Sequence, residues 1–144
     1  MTQYPGDPSD PALSAETPEG EAASVTIIVC DSCRPGHEAP ATPRPGALLA
    51  RATASVPRSA GIAVKQVTCL GNCERALSAA LVREGAWSYV FGGLDISAAA
   101  DLVAGAELFR NSTDGRLPYP GRPQALKGAL VARIPPLELA KEIP

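Results

Sequence analysis

The chain has 144 residues, 45% of them hydrophobic, enough for one domain that buries its own core without disulfides or a structural metal to hold it. Its formal net charge of -2, from 13 basic and 15 acidic side chains, offers no basic field for nucleic acid, and no apolar stretch approaches the roughly 20 residues that span a bilayer. No basic segment followed by an apolar run is present at the start, so no secretory signal is read and a cytosolic, reducing setting is expected.

Residues 1–23 carry Asp7, Asp10, Glu16, Glu19 and Glu21, no Lys or Arg, many prolines and few large apolar side chains. Such a segment cannot bury enough surface to offset its ordering entropy, so a disordered acidic tail is expected there. The folded domain is expected over 24–136, with 137–144 as a second tail. From Ser24 the character changes: "SVTIIVC" is dense in β-branched residues and too short for a helix, which predicts a buried strand. A loop broken by Pro and Gly follows, then "ALLARATASV", whose Leu48, Leu49, Ala52 and Val56 fall at helical spacing. "GIAVKQVTC" predicts a second strand through Ile62, Val64 and Val67. A helix between two strands implies that they are parallel, joined by a right-handed crossover.

"ALSAALVRE" and "WSYVFGGL" flank "GA" and read as a hairpin, with Trp87, Tyr89 and Phe91 alternating onto one sheet face as packing. "DISAAADLVAGAELFRN" then predicts a helix capped by Asp95, with Ile96, Ala99, Val103 and Ala106 on one stripe and Leu102 and Phe109 beside it. "NSTDG" ends it. The proline-rich remainder predicts a short turn at 124–127 and otherwise an extended arm on the core. The total is an α/β domain with a four-stranded mixed sheet and flanking helices.

All four cysteines, Cys30, Cys33, Cys69 and Cys73, lie just past the C-terminal ends of the two parallel strands, where ligands gather on such sheets. The spacings C-x2-C and C-x3-C supply four thiolates, which suit a tetrahedral zinc site or an iron–sulfur cluster and exclude magnesium and calcium. Gly71 and Asn72 are suited to a left-handed ligand loop whose backbone N–H groups donate to sulfur. Arg34 and Arg75 each adjoin a cysteine and can offset its charge, although solvated arginines are equally expected. His37, the single histidine, is a minor candidate ligand. The main rival is a catalytic dithiol, since C-x-x-C in an α/β setting can be a redox motif; against it, "RPGHEAPATPRPG" after Cys33 is poor helix sequence, whereas a thioredoxin-type motif opens a helix. No phosphate-cradling glycine motif and no paired acids support general acid–base work, so no enzyme activity is assigned.

"VTIIVCDSCR", "PGALLA", "VTCLGNCERALSAALVREGAWSYVFGGLD" and "FRNSTDGRLPYPGRPQALKGALVARIPP" resemble the DUF1636 predicted metal-binding proteins, which are similar to thioredoxin-like [2Fe-2S] ferredoxins. The resemblance runs from about Ser24 to Pro136. It implies a thioredoxin-like fold with a metal centre on Cys30, Cys33, Cys69 and Cys73, in a family associated with cobalamin-related gene neighbourhoods in bacteria. The closely spaced first pair departs from those ferredoxins, whose first two cysteines lie much farther apart. Three expectations follow: a [2Fe-2S] electron carrier serving a redox partner protein, a zinc- or cobalt-handling module, or a thiol–disulfide oxidoreductase.

Overall fold

The computed structural model describes residues 24–33 and 43–144. The expected acidic tail, Arg34 and His37 lie outside the described residues. Five strands form one sheet in the order β2-β1-β3-β4-β5: β1 (Val25–Cys30), β2 (Ile62–Val67), β3 (Ala79–Arg83), β4 (Ser88–Phe91) and β5 (Leu130–Ile134). β1 and β2 are parallel, with Val25 opposite Ile62 and Cys30 opposite Val67, as the intervening helix requires. β3 returns antiparallel to β1, and β4 and β5 continue antiparallel. The sheet therefore has five strands and not four. The extra one comes from the terminal arm, whose Leu130–Ile134 pairs with β4 along a bulged register. Its side chains are exposed beyond Leu130, so it carries no burial alternation from which a strand could be read.

Helices α1 (Pro45–Ser55) and α2 (Ala99–Arg110) touch each other and both pack on β1 and β2, which puts them on one face of the sheet. On that face Val25, Ile27 and Val29 are fully buried, while Thr26 and Ile28 on the other are only partly covered. The alternation is the period-2 pattern of a sheet with one packed side. Tyr89, Phe91 and Phe109 fill the centre, Tyr89 lying edge-on to Phe109 at 5.4 Å between ring centroids. Each such buried aromatic contributes about 2–3 kcal/mol of transfer free energy. Trp87 stands just before β4, half-buried, with the Arg133 guanidinium 4.6 Å from its ring centroid.

Two faces differ from the sequence pattern. On α1 the buried set is Gly46, Leu49, Ala50 and Thr53, and Leu48 is exposed, because the helix starts at Pro45 and turns Gly46 against the loop after β1. Asp95 caps a 3-10 turn, Ile96–Ala98, its carboxylate accepting the Ser97 N–H at 3.3 Å, and α2 follows directly. The three-residue period of that turn takes Ile96 off the stripe and leaves it exposed, while Ala99, Leu102, Val103, Ala106 and Phe109 are buried as expected. A 3-10 turn occupies Gln124–Leu126. The loop between α1 and β2 is tied to α2 by Ser59, whose N–H and hydroxyl both donate to the Glu107 carboxylate and hold it below the usual carboxylate range. Among the described residues no helix is long and apolar enough to cross a membrane.

Candidate metal or redox centre

The parallel pairing of β1 and β2 brings the two cysteine loops to one end of the sheet. Hydrogen bonds continue past the strands: Asp31 N–H donates to Val67 O at 2.8 Å, and the Ser32 side-chain hydroxyl donates to Thr68 O. Cys30 ends β1 with its N–H on Ser78 O at 3.1 Å and its thiol directed to Thr68 O at 3.5 Å. Cys33 is clamped at the start of α1, its carbonyl accepting the Gly46 N–H at 2.9 Å. Both are buried, at 2% and 5% exposure.

Gly46 is required by this contact. A Cβ there would stand 2.2 Å from Cys30 O and 2.9 Å from Cys33 N, both backbone atoms that cannot rotate away. The second pair is presented differently. β2 connects to β3 without a long helix, through a 3-10 turn at Cys73–Arg75 with the Ala76–Leu77 peptide cis, and both Cys69 and Cys73 are exposed. Gly71 adopts the expected left-handed conformation, φ +76°, and its N–H donates to Cys69 Sγ at 3.1 Å. Asn72 does not share that conformation, at φ −120°. Its side chain acts instead, donating through Nδ2 to Ser78 Oγ at 3.0 Å. Arg75 is exposed and contributes its carbonyl, which accepts the Gly93 N–H at 2.5 Å.

The thiols interact within each pair. Burial works against ionisation of Cys30, but hydrogen bonds from Cys33, from the Ser32 side chain and from the backbone N–H groups of Leu70 and Ser32 together lower its pKa. Burial and the neighbouring Cys30 push Cys33 up to about 11, with Ser78 pulling the other way through its backbone and side chain. Cys73 is raised first by its hydrogen bond with Cys69 and then by the charge there, and Cys30 adds to the shift, so the two pairs lie within electrostatic reach of one another.

Among the described residues no three of His, Cys, Asp and Glu converge to hold a single metal ion. What the fold brings together is two dithiol pairs, with backbone N–H groups directed at the sulfurs. Two close pairs of thiols are compatible with metal binding by soft ligands. Ser78, fully buried and bonded to both cysteine loops, is the site residue that the sequence pattern did not reveal. A serine flanking a strand carries no spacing signal.

A family model described as "Protein of unknown function (DUF1636)" matches residues 27–136, most of the chain. No curated protein and no solved structure matches. The match spans all four cysteines, both helices and all but the first two residues of the sheet, and the chain belongs to the DUF1636 family.

Proposed function

We propose that the protein is a small iron–sulfur electron carrier, holding a [2Fe-2S] cluster on Cys30, Cys33, Cys69 and Cys73 and exchanging electrons with a redox partner protein in the cytosol. The observation that carries this reading is the pairwise grouping of the thiols at the shared end of two parallel strands. A cluster so held supplies reversible one-electron transfer. The protein's own residues supply the thiolates, the N–H donors at Cys69 and Cys30 that stabilise negative sulfur, and the burial of one pair. The parallel β1–α1–β2 unit followed by an antiparallel hairpin and α2 supports a thioredoxin-like core carrying a fifth strand.

The test is an ultraviolet–visible spectrum of anaerobically purified protein with iron, zinc, cobalt and sulfide measured on the same sample. Broad visible absorption bleached by dithionite, with equal iron and sulfide, is expected, and Cys69→Ser should lose the full cluster. A colourless protein with stoichiometric zinc or cobalt would replace the carrier with a metal-handling module. A second reading, thiol–disulfide exchange, is favoured by the placement of the closely spaced Cys30 and Cys33 at the end of β1 in an α/β sheet. Ordinary pH dependence of alkylation at both would remove it.

A further inference from the structure

α1 and α2 both cover the sheet face that carries Val25, Ile27 and Val29, and among the described residues no α-helix lies on the other face. The strand register fixes what that second face displays. Ile28 stands between Lys65 and Ala80, Ala80 faces Val90, and Val90 faces Ala132, so one row across the sheet reads Lys65, Ile28, Ala80, Val90, Ala132. A neighbouring row begins Ala63, Thr26, Val82 and is continued by the Ser88–Ile134 pair, Ser88 lying two residues before Val90. Alternation along each strand turns both rows away from the helices. Lys65 is their only charged member, and Ile28, Val82 and Val90 at the centre are partly exposed, rising to 56% at Ile134. Each residue on a sheet face covers about 4.8 Å by 6.7 Å, so the two rows make an almost uncharged patch of roughly 300 Å² in projection, of the size that marks an interaction surface.

The arrangement of these side chains about β3, the central strand, points to the occupant. Turning a second copy by half a turn about an axis parallel to β3 lays β2 over β5 and β1 over β4, so each row meets itself reversed. Val82 and Ala80 then meet their own counterparts, and Ile28 meets Val90. The Thr26 hydroxyl meets that of Ser88, and the large Ile134 meets the small Ala63. Lys65 falls at the rim opposite Ala132, where its stem can lie on a methyl group while the ammonium reaches water. Like charges are kept apart, each hydroxyl has a hydroxyl opposite, and the strands of the two sheets stay nearly aligned, as in sheet-on-sheet packing. We propose that this face is the interface of a homodimer, two sheets packed face to face about a two-fold axis along β3. The cysteine loops lie beyond the two rows, at the strand ends, so the proposal holds whichever chemistry the thiols carry.

The experiment is sedimentation equilibrium of the full-length protein over a concentration series, with reductant present so that no disulfide between the exposed Cys69 and Cys73 of two copies is counted. A reversible monomer–dimer equilibrium is expected, with a Kd of about 10–100 µM, as suits an interface at the small end of the specific range. Val82→Asp sets two carboxylates against each other on the axis and should weaken the dimer more than about 100-fold, and Val82→Lys should do the same with two ammonium groups. Mixing the two variants pairs opposite charges on the axis and should restore association as a heterodimer. A wild type that stays monomeric throughout overturns the proposal and leaves this face to residues 1–23 or to a different protein. A dimer that survives Val82→Asp, with circular dichroism like the wild type, is held by another surface, such as the β5 edge, and overturns it too. If the Val82 variants do not fold, Ile134→Lys decides. Its site is an exposed strand end that tolerates a charge in the monomer, and in the dimer it should raise Kd about tenfold by setting an ammonium against Ala63. An unchanged Kd there overturns the proposal.

Discussion

Replacing Gly46 with Ala sets two effects of opposite sign against each other. Gly46 lies in the first turn of α1, where intrinsic helix propensity favours Ala by about 0.5–1 kcal/mol. The structure opposes this, because the new methyl would sit 2.2 Å from Cys30 O, 2.9 Å from Cys33 N and 3.1 Å from Cys33 Cβ. Ordinary carbon contacts are about 3.5–4 Å, and overpacking a closed site costs about 1–3 kcal/mol. Two of the three contacted atoms are backbone and belong to the loop that the Gly46 N–H itself ties down, so the upper end applies. The net expectation is a loss of about 2 kcal/mol, a fall in Tm on the order of 10 °C for a domain of this size. Urea denaturation of the metal-free, reduced protein measures it. The clash also predicts where damage lands: labelling of Cys33 should accelerate more than in Leu102→Ala, a core truncation expected to cost 2–5 kcal/mol away from the cysteines. A Gly46→Ala protein as stable as the wild type would refute the close approach of α1 to the cysteine loop.

Alkaline pH should weaken the reduced, metal-free protein. Cys33 is raised from 9.0 to about 11, chiefly by burial, so the folded state holds the proton more tightly than the unfolded chain does. The stabilisation is complete below the unfolded pKa and is lost as pH rises through the folded one, so the urea midpoint should fall between pH 9 and about 11. Cys33→Ala should flatten that decline, and an equal decline in both proteins would assign it to other groups. In the core, the buried Leu117 N–H donates to the Tyr89 hydroxyl at 2.9 Å, so Tyr89→Phe strands a backbone donor. A loss of about 1–3 kcal/mol is expected from chemical denaturation, and a change within about 0.5 kcal/mol would mean that the donor finds another acceptor.

The parts of the fold legible in the sequence are those with periodic burial. Val25, Ile27 and Val29 alternate onto the packed face, and Ala99 through Phe109 return every third or fourth residue to the core, so β1 and α2 were readable from pattern alone. The face of α1 was not, because Leu48 and Leu49 are adjacent and either can point inward; the choice is made by the close contact of Gly46 with the Cys30–Cys33 loop. β5 was hidden for a different reason. It is an edge strand held by backbone pairing to β4 with its side chains largely in solvent, so the physical cause of its order lies in hydrogen bonds and not in composition. At the site, cysteine spacing marked the two thiol pairs, but Ser78 is placed there by its bonds to Cys30 and Asn72, which spacing does not encode.

The topology also explains why the two pairs differ in exposure. The chain leaves β1 and returns to β2 by way of α1, which packs over the sheet and closes on Cys30 and Cys33 through Gly46. It leaves β2 and enters β3 with only a 3-10 turn between them, so nothing comparable covers Cys69 and Cys73. On the proposed function, this asymmetry suits an electron carrier. A centre held on these thiols would be shielded from water at Cys30 and Cys33, where each hydrogen bond to sulfur would have its largest effect, and would be open to solvent at Cys69 and Cys73. Covering the second loop should therefore slow exchange with a partner without removing the cluster, whereas opening the first should alter the potential.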